Sequence, residues 1–269
     1  YSFVDTIMVG RLIGEDALAA VGTTYSLNFL TLGFVQGACV GFGIPLAQSM
    51  GAKEPAEFKR YFWNGTWLCV VLGAVMTVLT YLFAEPLLLM INTPADILAD
   101  AVSYIRIIFL GIPATILYNF CAGALCAAGD SQRPTYFLLA TSAMNIVLDY
   151  VFIAIIPMGV AGAALATVLS QLTSGLLNLG WMVFKTDLLA DCANLRGFSK
   201  SHALHLCKVG FPMGFEYSVS ALGAVIMQSA INTLGSAAIA GQTLCMVLAA
   251  FSGCGAGQAP AGSGGEEKE

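Results

Sequence analysis

The chain has 269 residues, 58% of them hydrophobic and only 10% charged, with a net charge of -5 and a mean hydropathy of +0.80. A soluble domain carries about 25% charged residues, so a water-covered globule is excluded: there is too little polar surface to coat it. No basic cluster with interleaved aromatics is present, which excludes a nucleic-acid partner; the partner these numbers require is a lipid bilayer.

A spanning helix needs ~20 apolar residues. The chain opens on "YSFVDTIMVG", without an initiator Met and without the basic leader of a secretory signal. This stretch predicts a partial first helix over 1–10, on the expectation that the chain begins partway along it. Further apolar runs predict helices over about 16–50, 59–84, 95–128, 133–156 and 160–184. A polar connector follows over 185–208, then a seventh helix over about 209–233 and an eighth from 237. The second and fourth are longer than a bilayer is thick, so they tilt or project. "GAKEPAEFKR", "GDSQRPT" and "IPMGVAG" mark the breaks. "NTPADILAD" predicts an N-terminus for the fourth helix, with Thr93 capping ahead of Pro94. Eight scattered cysteines form no C-x-x-C and read as small hydrophobes. His202 and His205 lie three apart in the connector without a third ligand type nearby, so no metal site is expected there.

Lys53, Lys59 and Arg60 fall between helices two and three, Arg133 between four and five, and Lys185, Arg196, Lys200 and Lys208 in or beside the connector. Alternate loops thus carry the positive charge, which predicts that they are cytoplasmic. A weak repeat relates "GEDALAA" after helix one to "GSAAIAG" after helix seven, as internal duplication in a secondary transporter would.

Charged groups at membrane depth are costly and mark function. Asp5 and Asp149 are the two clearest; Arg106 and Glu216 lie nearer predicted helix ends, and Glu85 at the outer end of helix three. Asn145 precedes Asp149 by four residues, which puts both on one helical face about 6 Å apart. Counting at ~1.5 Å per residue, Asp5, Asp149, Thr167 and Tyr104 fall roughly 8–14 Å from the outer surface. They predict one polar pocket in the outer half of the membrane. Two acids without a buried basic partner can take up a proton or a small cation and release it when their surroundings change; Arg106 remains open as a partner for one of them. Thr167 and Tyr104 taken singly read first as interhelical hydrogen-bond glue.

These residues, in this order, resemble the multidrug and toxic compound extrusion (MATE) family. The resemblance is carried by "FVDTIMVGRLIGEDALAAVG", "GFVQGACVGFGIPLAQSMGA", "CAGALCAAGDSQRPT", "NIVLDYVFI" and "MGVAGAALATVLSQ". It covers about residues 1–250. It implies an all-α integral membrane fold: a polytopic bundle with the six-helix N-lobe of a twelve-helix, two-lobe transporter, plus about one and a half further helices. The N-lobe would be 1–184, the cytoplasmic connector 185–208, the start of the C-lobe 209–251, and 252–269 a polar tail outside the family pattern. Half of the central cleft would then lie outside this chain. By motif, the resemblance implies cation coupling at Asp5, Asn145 and Asp149, a pocket lined by Thr167 and, by less distinctive text, Tyr104 and Asn119, and a C-lobe acid at Glu216.

The implied activity is antiport: H⁺ or Na⁺ taken up while cationic or amphipathic drugs leave by alternating access. No catalytic residues and no cofactor are expected beyond the coupling ion, with Na⁺ the one metal that Asp5, Asn145 and Asp149 would hold. The implied setting is a bacterial plasma membrane, multi-pass, as a monomer when intact. A lipid-linked oligosaccharide flippase of a related fold would line its cleft with basic residues, and Arg106 is the only candidate within a helix. An intramembrane aspartyl protease would place Tyr before one Asp and Gly-x-Gly before the other; Val4 and Leu148 stand there instead.

Overall fold

A computed structural model describes residues 2–189 and 197–251, all within helices or short connections. In chain order the helices are α1 (Ser2–Leu12), α2 (Glu15–Gly51), α3 (Pro55–Met90), α4 (Leu98–Leu110), α5 (Ile112–Ala127), α6 (Gln132–Tyr150), α7 (Val160–Phe184), α8 (Lys200–Asn232) and α9 (Ser236–Phe251). Five of them are long and apolar enough to cross a membrane, and α4 with α5 makes a sixth span if the pair is taken together. The chain is therefore an all-α, multi-pass membrane protein. Cys192, Arg196, Cys254 and the tail over 252–269 lie outside the described residues.

α2 is the hub. It packs on α8, α5, α9, α3 and α4, and its buried face is rich in Ala, Gly, Ser and Thr. Lipid tails are as apolar as Leu, so helices in a bilayer associate through close backbone approach rather than by escaping water; small residues permit that approach. α3 does the opposite work. Trp67, Val70, Val71, Val75 and Val78 stand exposed along it, a face fit for lipid. The basic residues Lys53, Lys59, Arg60, Arg133, Lys185 and Lys200 cluster at one end of the bundle, hereafter the basic end.

The structure departs from the sequence reading at three boundaries. The run 95–128 is two helices, bent by 43° at Gly111. Pro113 has no N–H to bond back to Phe109, so the ladder is interrupted there, and the hydrophobic pattern runs through the break unaltered. Val168 of α7 packs into the bend where a Cβ on Gly111 would stand. Thr93 does not cap the helix after it. Its hydroxyl donates to Leu88 O at 2.8 Å, closing the C-terminus of α3, and Asp96 instead accepts from Ile97 N at 3.1 Å. The connector ends near Ser199 rather than 208, because α8 begins at Lys200. His202 and His205 are thus helical.

Those two histidines tie α8 to α3. Nε2 of His202 donates to Glu57 Oε2 at 2.8 Å, since a carboxylate can only accept. Its Nδ1 meets Ser199 Oγ at 2.7 Å, and His205 Nδ1 meets the Tyr61 hydroxyl at 2.9 Å. Beneath them Ser199 N donates to Asn64 Oδ1 at 2.8 Å. With His202 and Glu57 only partly exposed, a double-mutant cycle of His202→Ala and Glu57→Gln should return a coupling of about 1 kcal/mol. Thermal unfolding in detergent measures it; strict additivity would mean the contact does not hold α3 to α8. At the opposite end Asn232 of α8 accepts from Thr23 Oγ1 and Gln228 Nε2, both at 2.8 Å, and donates to Ile91 O at 2.8 Å.

Candidate functional site

Asp5 and Asp149 sit where α1, α6 and α7 meet. α1 carries Asp5 in its first turn, and α6 carries Asn145 and Asp149 one turn apart on its buried face. Past Tyr150 the chain widens into a π-helical turn, Val151–Ile155, before Gly159 opens α7. Such wide turns re-aim the residues beside them and are frequent at functional sites. Gly162 at the start of α7 lies close against it: a Cβ there would stand 2.9 Å from Phe152 O.

Burial of these polar groups is nearly complete. Relative exposure is 1% for Asp5, 1% for Asn145, 0% for Asp149, 7% for Thr167 and 4% for Tyr104. Thr167 Oγ1 donates to Asp5 Oδ2 at 2.5 Å. Asp149 and Asn145 both face Asp5, yet Asp5 Oδ1, Asn145 Nδ2 and both Asp149 oxygens make no well-formed hydrogen bond among the described residues. Tyr104 comes near enough to both acids for their charge to act on its phenol. Val9, Val21, Ile108, Ile153 and Val160 form a buried apolar cluster with Tyr104.

An uncompensated carboxylate in such a place costs several kcal/mol, of order 2–4. Two of them facing one another with open oxygens can take positive charge between them. The donor set fits: carboxylate oxygens with an amide oxygen and a hydroxyl suit a hard cation, and a proton shared by the pair meets the same need.

The structure thus brings together Asp5, Asn145, Asp149, Thr167 and Tyr104. It does not bring Asn119 or Glu216 to them. Asn119 turns its amide to Thr115 O at 2.8 Å, within its own helix α5. Glu216 is exposed on α8, which packs chiefly on α2 and α3. Arg106 is no partner for either acid: it reaches Glu85 Oε2 at 3.3 Å and lies 5.5 Å from the Tyr81 ring centre. That pairing also removes it as a free cation lining a cleft.

One feature escaped the sequence reading. Below Thr167, α7 carries Ser170, Gln171, Ser174 and Asn178, at i+3, i+4, i+7 and i+11, a polar stripe running toward the basic end. Ser170, Ser174 and Asn178 are fully buried. Gln171 accepts from Thr115 at 2.5 Å, while Ser170 Oγ, Ser174 Oγ and Asn178 Oδ1 have no partner among the described residues. The helical spacing of "TVLSQLTSGLLN" would have shown it.

Known proteins share this architecture. The MatE family model matches residues 1–151. Two Bacillus subtilis (strain 168) relatives, probable multidrug resistance proteins YpnP and YoeA, are each 29% identical over 90% and 88% of this chain. The chain spans about half the length of these curated relatives, 54% and 53%. A solved inward-facing multidrug resistance MATE family transporter of the MOP superfamily superposes with a TM-score of 0.86 at 24% identity, over 93% of this chain and 57% of that one. With more than half of its residues matched by the family model and the bundle reproduced nearly end to end, the chain belongs to the MatE family.

Proposed function

We propose that this chain forms part of a cation-coupled antiporter that exports cationic or amphipathic toxic compounds across a bacterial plasma membrane. The observation that carries the reading is the buried Asp5–Asp149 pair with its open oxygens. A group left so costly in an apolar bundle serves an ion that comes and goes. H⁺ or Na⁺ binds between Asp5 and Asp149, with Asn145 and Thr167 fixing their orientation. Neutralising the pair changes how α1 sits against α6 and α7. That shift biases the lobe between its two states of access, and the ion's differential affinity for the two states sets how far. The multidrug names of the B. subtilis relatives support drug-sized organic cations as the exported class.

The test uses a protein that joins this chain to the second half its relatives possess, reconstituted in vesicles. Dye efflux driven by a proton or a sodium gradient should fall at least tenfold in Asp5→Asn and in Asp149→Asn, as loss of about 1.4 kcal/mol or more of ion linkage requires. Efflux unchanged in both variants would overturn the proposal. The gradient that drives it identifies the ion.

A further inference from the structure

A second site lies outside the acid pocket. A groove of about 940 Å³ runs between α3, α5 and α7, within the size range that encloses a drug-sized molecule or a chain. No described residue of α1, α6, α8 or α9 lines it, so it is separate from the carboxylate pair and from the α2–α8 contact. Its walls are Trp63, Val70 and Ala74 of α3 and Leu172 and Val183 of α7, and Pro113 of α5 closes the deep end. It opens sideways: Val70 is 60% exposed and Phe184, also on its rim, 82%. That is the face the bundle presents to lipid.

Length and charge define an occupant. From Lys185 to Leu172 the groove follows α7 for roughly 20 Å, about one leaflet of a bilayer whose whole apolar core is ~30 Å. Lys185 stands exposed at the basic end of the groove. Among the described residues no Asp or Glu lines the groove. A cationic compound would find no counter-charge among these residues, whereas a phosphate at the membrane surface would find the Lys185 ammonium.

We propose that this groove is a binding site for an anionic phospholipid of the leaflet at the basic end. One acyl chain lies along Leu172, Val70 and Trp63, and the phosphate is held at Lys185. The lipid caps the seam between α3 and α7 that protein atoms leave open.

Trp63 is a built-in reporter, because the chain's other tryptophans, Trp67 and Trp181, can be replaced by Phe. In vesicles, bromine-labelled phosphatidylglycerol should quench Trp63 with about fivefold higher relative affinity than bromine-labelled phosphatidylcholine, the gain expected for one lysine near a charged headgroup. Lys185→Gln should remove that preference. Ala74→Phe, which fills the exposed upper wall, should reduce quenching by both lipids. Native mass spectrometry of the unsubstituted chain gives an independent readout: one phosphatidylglycerol retained through detergent washing, and lost in Lys185→Gln. Equal quenching by the two lipids, an unaltered preference in Lys185→Gln, or unchanged quenching in Ala74→Phe would overturn the proposal. Displacement of the labelled lipid by ethidium would also overturn it, making the groove a site for organic cations.

Discussion

Replacing Gly41 by Ala is expected to destabilise the chain by about 2 kcal/mol, and by Leu to separate α2 from α8 altogether. A Cβ on Gly41 would stand 2.6 Å from Gly210 Cα and 3.0 Å from Val209 O. One turn earlier, a Cβ on Gly37 would stand 2.6 Å from Met213 O and 2.9 Å from Gly214 Cα. These are backbone atoms of the opposing helix, so no rotamer change relieves the clash. Gly210 and Gly214 return the contact from α8, where Phe42 and Phe34 occupy the space their side chains would need. Glycines four apart on two antiparallel helices are the usual means of bringing backbones together in lipid. Gly43 supplies the control. It lies in the same helix with nothing within 4 Å of its Cβ position, so Gly43→Ala should gain the ordinary helical preference for alanine, about 0.5–1 kcal/mol. The two substitutions therefore differ in sign. Thermal unfolding in mild detergent distinguishes them, and a Gly41→Ala variant as stable as Gly43→Ala would show that α2 and α8 do not rely on this approach.

Much of the bundle was legible because lipid imposes a single rule over long stretches. Apolar runs bounded by "GAKEPAEFKR" or "IPMGVAG" admit no reading but a span. The acid pocket was legible in outline for a related reason. In an apolar run a carboxylate is conspicuous, and a helix rises by a fixed step, so counting residues put Asp5 and Thr167 at one level. The bond between them needs that equality of depth. What stayed hidden turns on features that leave the hydrophobic pattern unchanged. The bend at Gly111 leaves "IIFLGIPATIL" apolar throughout. The first two turns of α8 are polar because they lie at the end of the bundle, and helix formation there depends on burying Ala203 and Leu206, not on matching lipid. Asn119 was placed in the pocket by the resemblance; it lies about four turns beyond Tyr104 along the same run, and its amide goes to Thr115 O. The groove beside α3 has no local signal at all, since three helices distant in sequence make it.

The carboxylate pair makes the other large prediction, and here stability and function should move in opposite directions. Asp149→Leu is expected to stabilise the chain by about 1–3 kcal/mol. Its carboxyl is wholly buried and neither oxygen has a well-formed hydrogen bond among the described residues. A leucine of similar bulk removes that unmet polarity and relieves Asp5 of a facing charge, as replacement of buried charged groups by apolar ones often does. Thr167→Val should have the reverse sign, costing about 1–2 kcal/mol, because it strips Asp5 Oδ2 of the one donor that now satisfies it. Added Na⁺ or a lower pH should raise the unfolding temperature of the unsubstituted chain, since an ion that binds only the folded pocket stabilises it; Asp149→Leu should lose that response. A protein that keeps a destabilising group at its centre retains it for what it does, and the removal of such groups commonly trades activity for stability. Measured destabilisation by Asp149→Leu would point the other way. It would mean that Asp149 holds α6 to α1 and α7 as a structural residue, and the pocket would lose its standing as an ion site.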